Sequence, residues 1–345
     1  MLTASGVDST ARAPRTAAEI AARLADPEFW QDLSSESEFG DVAPFDGDAG
    51  QGPSTNDEVA PESSQSAWLD DLKRTGHCTW SSALPKATTD ATLEVTRKLV
   101  ASGWLPAFAF LFDVTWRLFR HPRVHRMLVA TLGDQYLQLP YFYAWCVRRG
   151  QHGYRPHREC GRTGFTDPDG APRALTLWIP LTDATVDNGC MSVVPRDLEI
   201  GAIPREQLMR DYGTDDLQKA ASAALLHRAR ALPAARGSLL AWNHEILHWG
   251  GHAAANAASE RISLACEYLR GDVDAYEHPH AIVRDRTGRE RPFCIRSDGG
   301  LPSFQMRVEV LARSIVAFQL ERNESAPFVE AALGVLERAK FEEST

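Results

Sequence analysis

Short apolar runs fenced by turn residues place the tightest limit on what this chain can fold into. Ala174–Leu181 reads ALTLWIPL and Met191–Val194 reads MSVV, with Asp187-Asn188-Gly189 between them. Runs of this length, β-branched or aromatic and bounded by Asp, Asn and Gly, read as strands joined by a tight turn. Tyr136–Val147, Ser238–Trp242 and Arg261–Leu269 have the same texture. Helical patterns gather before them, over Thr88–Ser102 and Phe110–Gly133, the latter restarting at Pro122 because proline suits a first helical turn. Others follow, over Arg307–Leu320 and Pro327–Phe341, and Ile203–Ala231 reads as a helical insertion. Strands and helices do not alternate regularly, which disfavours a parallel sheet with crossover helices. The expected class is therefore mainly β with flanking helices, an antiparallel jelly roll.

The 345 residues suffice for one large domain or two small ones. Residues 1–66 carry about all of the excess negative charge in a chain of net charge −9. Within them Ala17–Trp30 reads as one amphipathic helix. Ser34–Ser66, rich in Ser, Asp, Glu, Gly and Pro, cannot bury enough apolar surface to offset ordering. Residues 1–66 are thus expected to be an acidic, largely flexible segment, and 67–345 a single domain. The near-neutral remainder argues against nucleic-acid binding, which calls for a basic face. Six scattered cysteines without a CxxC pair suggest reduced thiols and a cytoplasmic setting. No basic region followed by an apolar run stands at the N-terminus, so no secretory signal is expected. The longest apolar run, Leu105–Phe112, contains Pro106 and is too short to span a bilayer, so no membrane partner is expected. The oligomeric state is not readable.

Gly237–Glu267 carries the densest chemistry and admits two incompatible readings. His244-Glu245-Ile246-Leu247-His248 spells HExxH, a zinc-hydrolase signature that needs both histidines on one face of a helix. The surroundings oppose a helix: Ser-Leu-Leu-Ala-Trp reads as a strand, Asn243 as a turn residue, and Gly250-Gly251 would end any helix at once. The alternative takes only His248 and joins it to His157 and Glu159 upstream. Residues i and i+2 on a strand face the same side, so His157 and Glu159 can reach one ion, and Pro156 favours the extended backbone they need. Two imidazoles and a carboxylate on one face leave open positions for non-haem iron chemistry. Arg261, thirteen residues after His248, opens a strand with Ser263 on its own face, and this pair can receive a carboxylate.

Together these pieces resemble the phytanoyl-CoA dioxygenase family of Fe(II)/2-oxoglutarate-dependent oxygenases. The matching segments are PHREC at Pro156–Cys160, LTLWIPLTDATVDNGCMSVVP at Leu175–Pro195 and GSLLAWNHEILHWGG at Gly237–Gly251, followed by Arg261-Ile262-Ser263. With the stretches joining them they span about a third of the chain, in the right order. The resemblance implies a double-stranded β-helix (cupin-like) core. It also implies His157, Glu159 and His248 as ligands of Fe(II), Arg261, Ser263 and Trp178 as contacts of the co-substrate 2-oxoglutarate, and O2 as oxidant. Two features depart from the family pattern. Glu159 stands where Asp is usual, and Pro195-Arg196-Asp197-Leu198 replaces Pro-Gly-Ser-His. A retained carboxylate argues against halogenation.

The expected function is oxidation, by default hydroxylation, of a small metabolite with conversion of 2-oxoglutarate to succinate. An amino acid or natural-product intermediate is the substrate guess. The rivals are a zinc metallohydrolase built on His244, Glu245 and His248, and a non-catalytic β-helix binding protein. His244 and His252 read as hydrogen-bonding or surface histidines, and Glu245 as solvent-facing or paired with an arginine. Arg148, Arg149, Arg155, Arg158 and Arg162 read as exposed charge, with anionic-substrate recognition as the sharper alternative. Tyr141, Tyr143 and Trp145 read mainly as core.

Overall fold

The fold is described from a computed structural model over residues 16–33, 62–160, 164–198, 203–284, 289–296, 300–318 and 326–342. Most of the acidic Ser34–Ser66 segment, residues 34–61, lies outside the described residues.

Two short helices come first, α1 (Ala17–Leu24) and α2 (Pro27–Leu33). The sequence reads as one helix here, but Pro27 has no N–H to continue it and begins a new one instead. Thr16 and Glu19 close a capping box on α1, and Ile20, Leu24 and Trp30 are buried in the main core. The helices α3 (Glu62–Thr75), α4 (Lys86–Ala101), α5 (Asp113–Phe119) and α6 (Pro122–Leu132) follow, with strand β1 (His77–Trp80) after α3 and a 3-10 turn at Pro106–Leu111. Gly133 ends α6 at φ +82°, where a side chain would be strained.

The strands are β2 (Leu137–Val147), β3 (Ala174–Pro180), β4 (Met191–Val194), β5 (Arg230–Leu232), β6 (Leu239–Asn243), β7 (Leu247–Gly250), β8 (Arg261–Leu269), β9 (Ile282–Arg284), β10 (Glu290–Pro292) and β11 (Ile295–Arg296). Helices α7 (Arg205–Asp211) and α8 (Leu217–Arg228) fill the insertion between β4 and β5. Helices α9 (Phe304–Ala317) and α10 (Ala326–Glu342) close the described chain. One sheet runs in the order β1-β6-β3-β8-β2-β11 and a second in the order β5-β4-β7, with β9 and β10 forming a separate pair. The pairings are antiparallel.

This corrects the expected class. Helical residues outnumber strand residues, and both sheets stay open instead of closing into a double-stranded β-helix or jelly roll. The physical reason lies between β2 and β3. There the described residues make only single bridges, His152 to His252, His157 to His248 and Thr166 to Pro172. Pro156, Pro168 and Pro172 lack the N–H a ladder requires, and Gly153 and Gly170 lack side chains to pack. The helices are also more than flanks. Phe108, Phe110, Trp116 and Val310 from the helical layer pack with Phe142 and Leu264 of the large sheet in the biggest apolar cluster. Inside it Arg307 and Asp113, both fully buried, pair at 2.6 Å, and Arg307 also donates to the carbonyls of Leu111 and Pro302. No described helix is long and apolar enough to cross a membrane.

Candidate metal and co-substrate site

The opposite face of the large sheet carries a second cluster. Tyr143, Trp178, Trp242 and Ala265 meet Met191 and Val193 of the small sheet. A cavity lined by residues of both sheets opens there.

His157 and His248 reach it as a backbone pair. Each N–H donates to the other's carbonyl at 3.0 Å, so the rings lie side by side with centroids 4.2 Å apart. The Nδ1 of His157 lies 2.9 Å from the carbonyl of Arg155, and that of His248 lies 3.1 Å from the carbonyl of Ile246. A carbonyl only accepts, so each Nδ1 carries a proton, and each Nε2 is the atom that donates to Glu159 when protonated and presents a lone pair to a metal when not. Both Nε2 atoms face Glu159, at 3.6 Å for His157 and 3.2 Å for His248. One ligand atom from each of the three lies within 4.8 Å of the others, a spacing that one ion can bridge. Glu159 is buried, which by itself raises a carboxyl's pKa. Hydrogen bonds from the two histidines and their charge outweigh this and hold it well below the usual carboxylate range. The hydroxyl of Thr176 donates to Oε1 of Glu159 at 3.1 Å.

Arg261 begins β8 opposite Val147 and is 1% exposed. Burial lowers its pKa to about 10. Among the described residues no carboxylate pairs with it, and its Nε has no partner. Its Nη1 donates to Ser263 Oγ at 2.7 Å, and its guanidinium carbon lies 5.8 Å from the ring of Trp178. Gly250 makes room for it, since a Cβ there would meet Arg261 Nη2 at 3.1 Å and the Tyr154 nitrogen at 2.9 Å. A buried cation of this kind is costly unless an anion joins it. The donor set therefore fits both a divalent ion and a dicarboxylate whose far end reaches Arg261.

The HExxH segment is not helical. His244 to Ile246 form the turn between β6 and β7. His244 is buried, and its Nδ1 lies 2.8 Å from Nε2 of His278, on which Cys160 Sγ also converges at 3.2 Å. Glu245 is half-buried, and among the described residues no arginine side chain pairs with its carboxylate. Its carboxylate accepts the N–H groups of Gly164 and Phe165, each at 2.7 Å. Arg158 is spent on the Glu245 carbonyl and Arg149 on that of Ala258, while Arg162 lies outside the described residues.

Several contributors were not picked out from the sequence. Thr176 lies two residues before Trp178, and Glu267 shares a face of β8 with Arg261, Ser263 and Ala265. The alternation that singled out Ser263 would have found both. Glu267 is fully buried and accepts from the Tyr143 hydroxyl and from His280, the latter at 2.6 Å. The pair that Gly153 makes with Gly250 was not readable, because it depends on two distant segments touching.

A family model described as phytanoyl-CoA dioxygenase matches residues 110–261, a span that contains His157, Glu159, His248 and, as its last residue, Arg261. No curated protein matches the chain. Among solved structures, the non-heme alpha ketoglutarate dependent epimerase SnoN from nogalamycin biosynthesis is 18% identical, with 61% of this chain and 82% of that one covered and a TM-score of 0.45. The apo form of the non-heme monooxygenase ThoJ is 17% identical over 77% and 99%, with a TM-score of 0.47. HygX from Streptomyces hygroscopicus, with nickel and 2-oxoglutarate bound, is 14% identical over 60% and 86%, with a TM-score of 0.43. At these scores the likenesses carry no weight for function.

Proposed function

We propose, for a chain that belongs to the phytanoyl-CoA dioxygenase family over residues 110–261, that His157, Glu159 and His248 hold the metal and that Arg261 receives the far carboxylate of 2-oxoglutarate. The protein is a 2-oxoglutarate-dependent oxygenase acting on a small molecule. The observation that supports this division of roles is Arg261, a buried guanidinium without an acidic partner among the described residues, beside a two-histidine, one-carboxylate cluster.

When bound, Fe(II) with 2-oxoglutarate and O2 supplies the oxidising power and yields succinate and CO2. The protein's own part is positioning. The carbonyls of Arg155 and Ile246 fix the tautomers of the two histidines, and Thr176 orients Glu159. Ser263 holds one arm of the Arg261 guanidinium, and Trp178 lies against it. The aromatic walls keep water from the reacting carbon. Glu159 retains a carboxylate at the metal, and hydroxylation is the outcome we assign. The free, mostly buried thiols suit a reducing cytoplasm.

The test is succinate formation from 2-oxoglutarate with Fe(II) and ascorbate. Turnover is expected in the wild-type protein and should fall at least about a hundredfold in His157→Ala and His248→Ala. Full turnover in both variants would sink the assignment. A zinc hydrolase would instead depend on Glu245, yet that carboxylate is committed to two backbone N–H groups away from any helix.

A further inference from the structure

Two buried side-chain polar atoms of the cavity lining have no hydrogen-bond partner among the described residues, Nε of Arg261 and Nε1 of Trp242. Both are donors, and neither can accept. Arg261 has a role in the reading above, whereas Trp242 has none. Trp242 is 2% exposed, and its indole N–H is buried with the rest of the ring. A buried tryptophan usually gives this proton to an acceptor, because an N–H stripped of water and left unpaired is costly.

The large sheet sets the two donors at different ends of the cavity. On β6, Trp242 stands opposite Thr176 of β3, and Thr176 donates to Glu159. The Trp242 ring also lies 4.8 Å from that of His248. The indole is therefore at the metal end. Trp178 follows two residues further along β3 on the same face, a step of about 6.6 Å. It stands opposite Leu240 and lies 5.8 Å from the Arg261 guanidinium carbon. The line from Thr176 to Trp178 thus runs from the metal cluster toward Arg261.

The groups beside Trp242 are engaged with one another. The Thr176 hydroxyl serves Glu159, Nδ1 of His248 faces the carbonyl of Ile246, and Nε2 of His248 faces the Glu159 carboxylate at 3.2 Å. A metal ion accepts no hydrogen bond, but an anion bound to it does. Resting on the metal and 2-oxoglutarate positions assigned above, we propose that the Trp242 indole N–H donates to the keto-acid carboxylate of 2-oxoglutarate. Trp242 is then a co-substrate-binding residue. Each end of the dicarboxylate meets its own donor, Trp242 at the metal and Arg261 at the far end, and the charge on the acceptor strengthens the indole bond.

The test uses the full chain loaded with Zn(II), with metal content measured in every sample so that affinities are compared at equal loading. Calorimetry gives the 2-oxoglutarate affinity of the wild type, Trp242→Phe and Arg261→Leu. Trp242→Phe keeps an aromatic ring and removes the N–H. It should bind 2-oxoglutarate about tenfold more weakly or worse, the worth of one hydrogen bond to a charged group. Nuclear magnetic resonance of the nitrogen-labelled indoles gives a readout that loss of packing would not move. The Trp242 signal is the one missing from Trp242→Phe, and in the wild type it should shift downfield when 2-oxoglutarate is added to the Zn(II)-loaded chain. An unchanged affinity in Trp242→Phe, or an indole signal that stays in place, overturns the proposal. If that variant does not fold, the wild-type indole signals decide: none shifting downfield with 2-oxoglutarate overturns the proposal. Binding that is lost in Arg261→Leu and intact in Trp242→Phe would sink this proposal alone. No binding of 2-oxoglutarate to the wild type would sink the underlying assignment, and the proposal with it.

Discussion

His157 and His248 exchange both of their backbone hydrogen bonds, although strands β3, β4, β5 and β6 lie between them in the chain. The pairing is made by main chain alone, so it sets the spacing of the two imidazoles before any metal arrives. Opposite residues of an antiparallel pair project side chains to the same side. The proposed metal position is therefore part of the fold's own bonding, and the two proposed ligands can be removed without removing the geometry that places them.

From this we expect His157→Ala to keep the fold while losing the metal. The side chain is partly exposed, so unfolding free energy should change by no more than about 1 kcal/mol. Metal bound after loading and desalting should drop to a small fraction of the wild-type value. Urea unfolding and elemental analysis of the same sample check the two halves separately.

Thr176→Val removes the hydroxyl that holds Oε1 of Glu159 and keeps the shape. Metal affinity should fall about 10- to 100-fold, as for other groups that orient a ligand from behind. A chelator-competition titration reads this directly, and an unchanged affinity would show that Thr176 does not orient Glu159.

Arg261→Leu should act with opposite signs on stability and binding. Without co-substrate, the buried guanidinium has no acidic partner among the described residues, and replacing it with an apolar side chain is expected to raise the melting temperature. The same change should weaken 2-oxoglutarate binding by at least about thirtyfold, the cost of losing a buried charge partner. Adding 2-oxoglutarate should raise the melting temperature of the wild type and leave that of the variant where it was. Thermal scans with and without 2-oxoglutarate test both signs.

Acid should destabilise the protein through His278. Burial, with the neighbouring charges of His244 and His280, pushes its imidazole down to about 2. Its folded pKa thus lies below the unfolded value near 6.5, and between the two the unfolded chain binds the extra proton. Stability then falls as pH drops below about 6.5, by roughly 1.4 kcal/mol per pH unit for one such group. His244 is shifted the same way by burial. His280 runs opposite. Although burial lowers it, pairing with Glu267 leaves it raised, so its contribution is present at low pH and is lost as pH climbs through its folded pKa. Urea unfolding at pH 5.5 and 7.5 should show a smaller acid loss in His278→Gln than in the wild type.

Asp113→Ala tests the helical layer independently of the site. It leaves Arg307 buried without its carboxylate and should cost about 3–5 kcal/mol. Metal binding to the folded variant should be unaffected, because the pair lies on the far side of the large sheet from the cavity.

Much of the local structure was legible. Met191–Val194 and Arg261–Leu269 form strands over the same residues that the apolar pattern marks, and Pro122 begins a helix as its ring predicts. Closure of the sheets was not legible. The jelly-roll expectation followed from strands and helices that do not alternate regularly, while the prolines and glycines between β2 and β3 limit the described part of that stretch to single bridges. The helices looked peripheral because amphipathic periodicity says that one face is buried, without saying how large a core it joins.

What the sequence determined by itself is chemical identity at short range: two imidazoles with a carboxylate, an arginine with a hydroxyl two residues on, and which stretches extend or coil. Those depend on residue type and on spacings of a few residues, where backbone geometry is nearly fixed. What only the tertiary structure decided is which distant groups meet. It turned the HExxH histidine His244 away toward His278, set Glu245 on the backbone of Gly164 and Phe165, and placed Glu267 behind Tyr143. Contacts of that kind arise from sheet register and packing of segments far apart in the chain, and no local spacing encodes them.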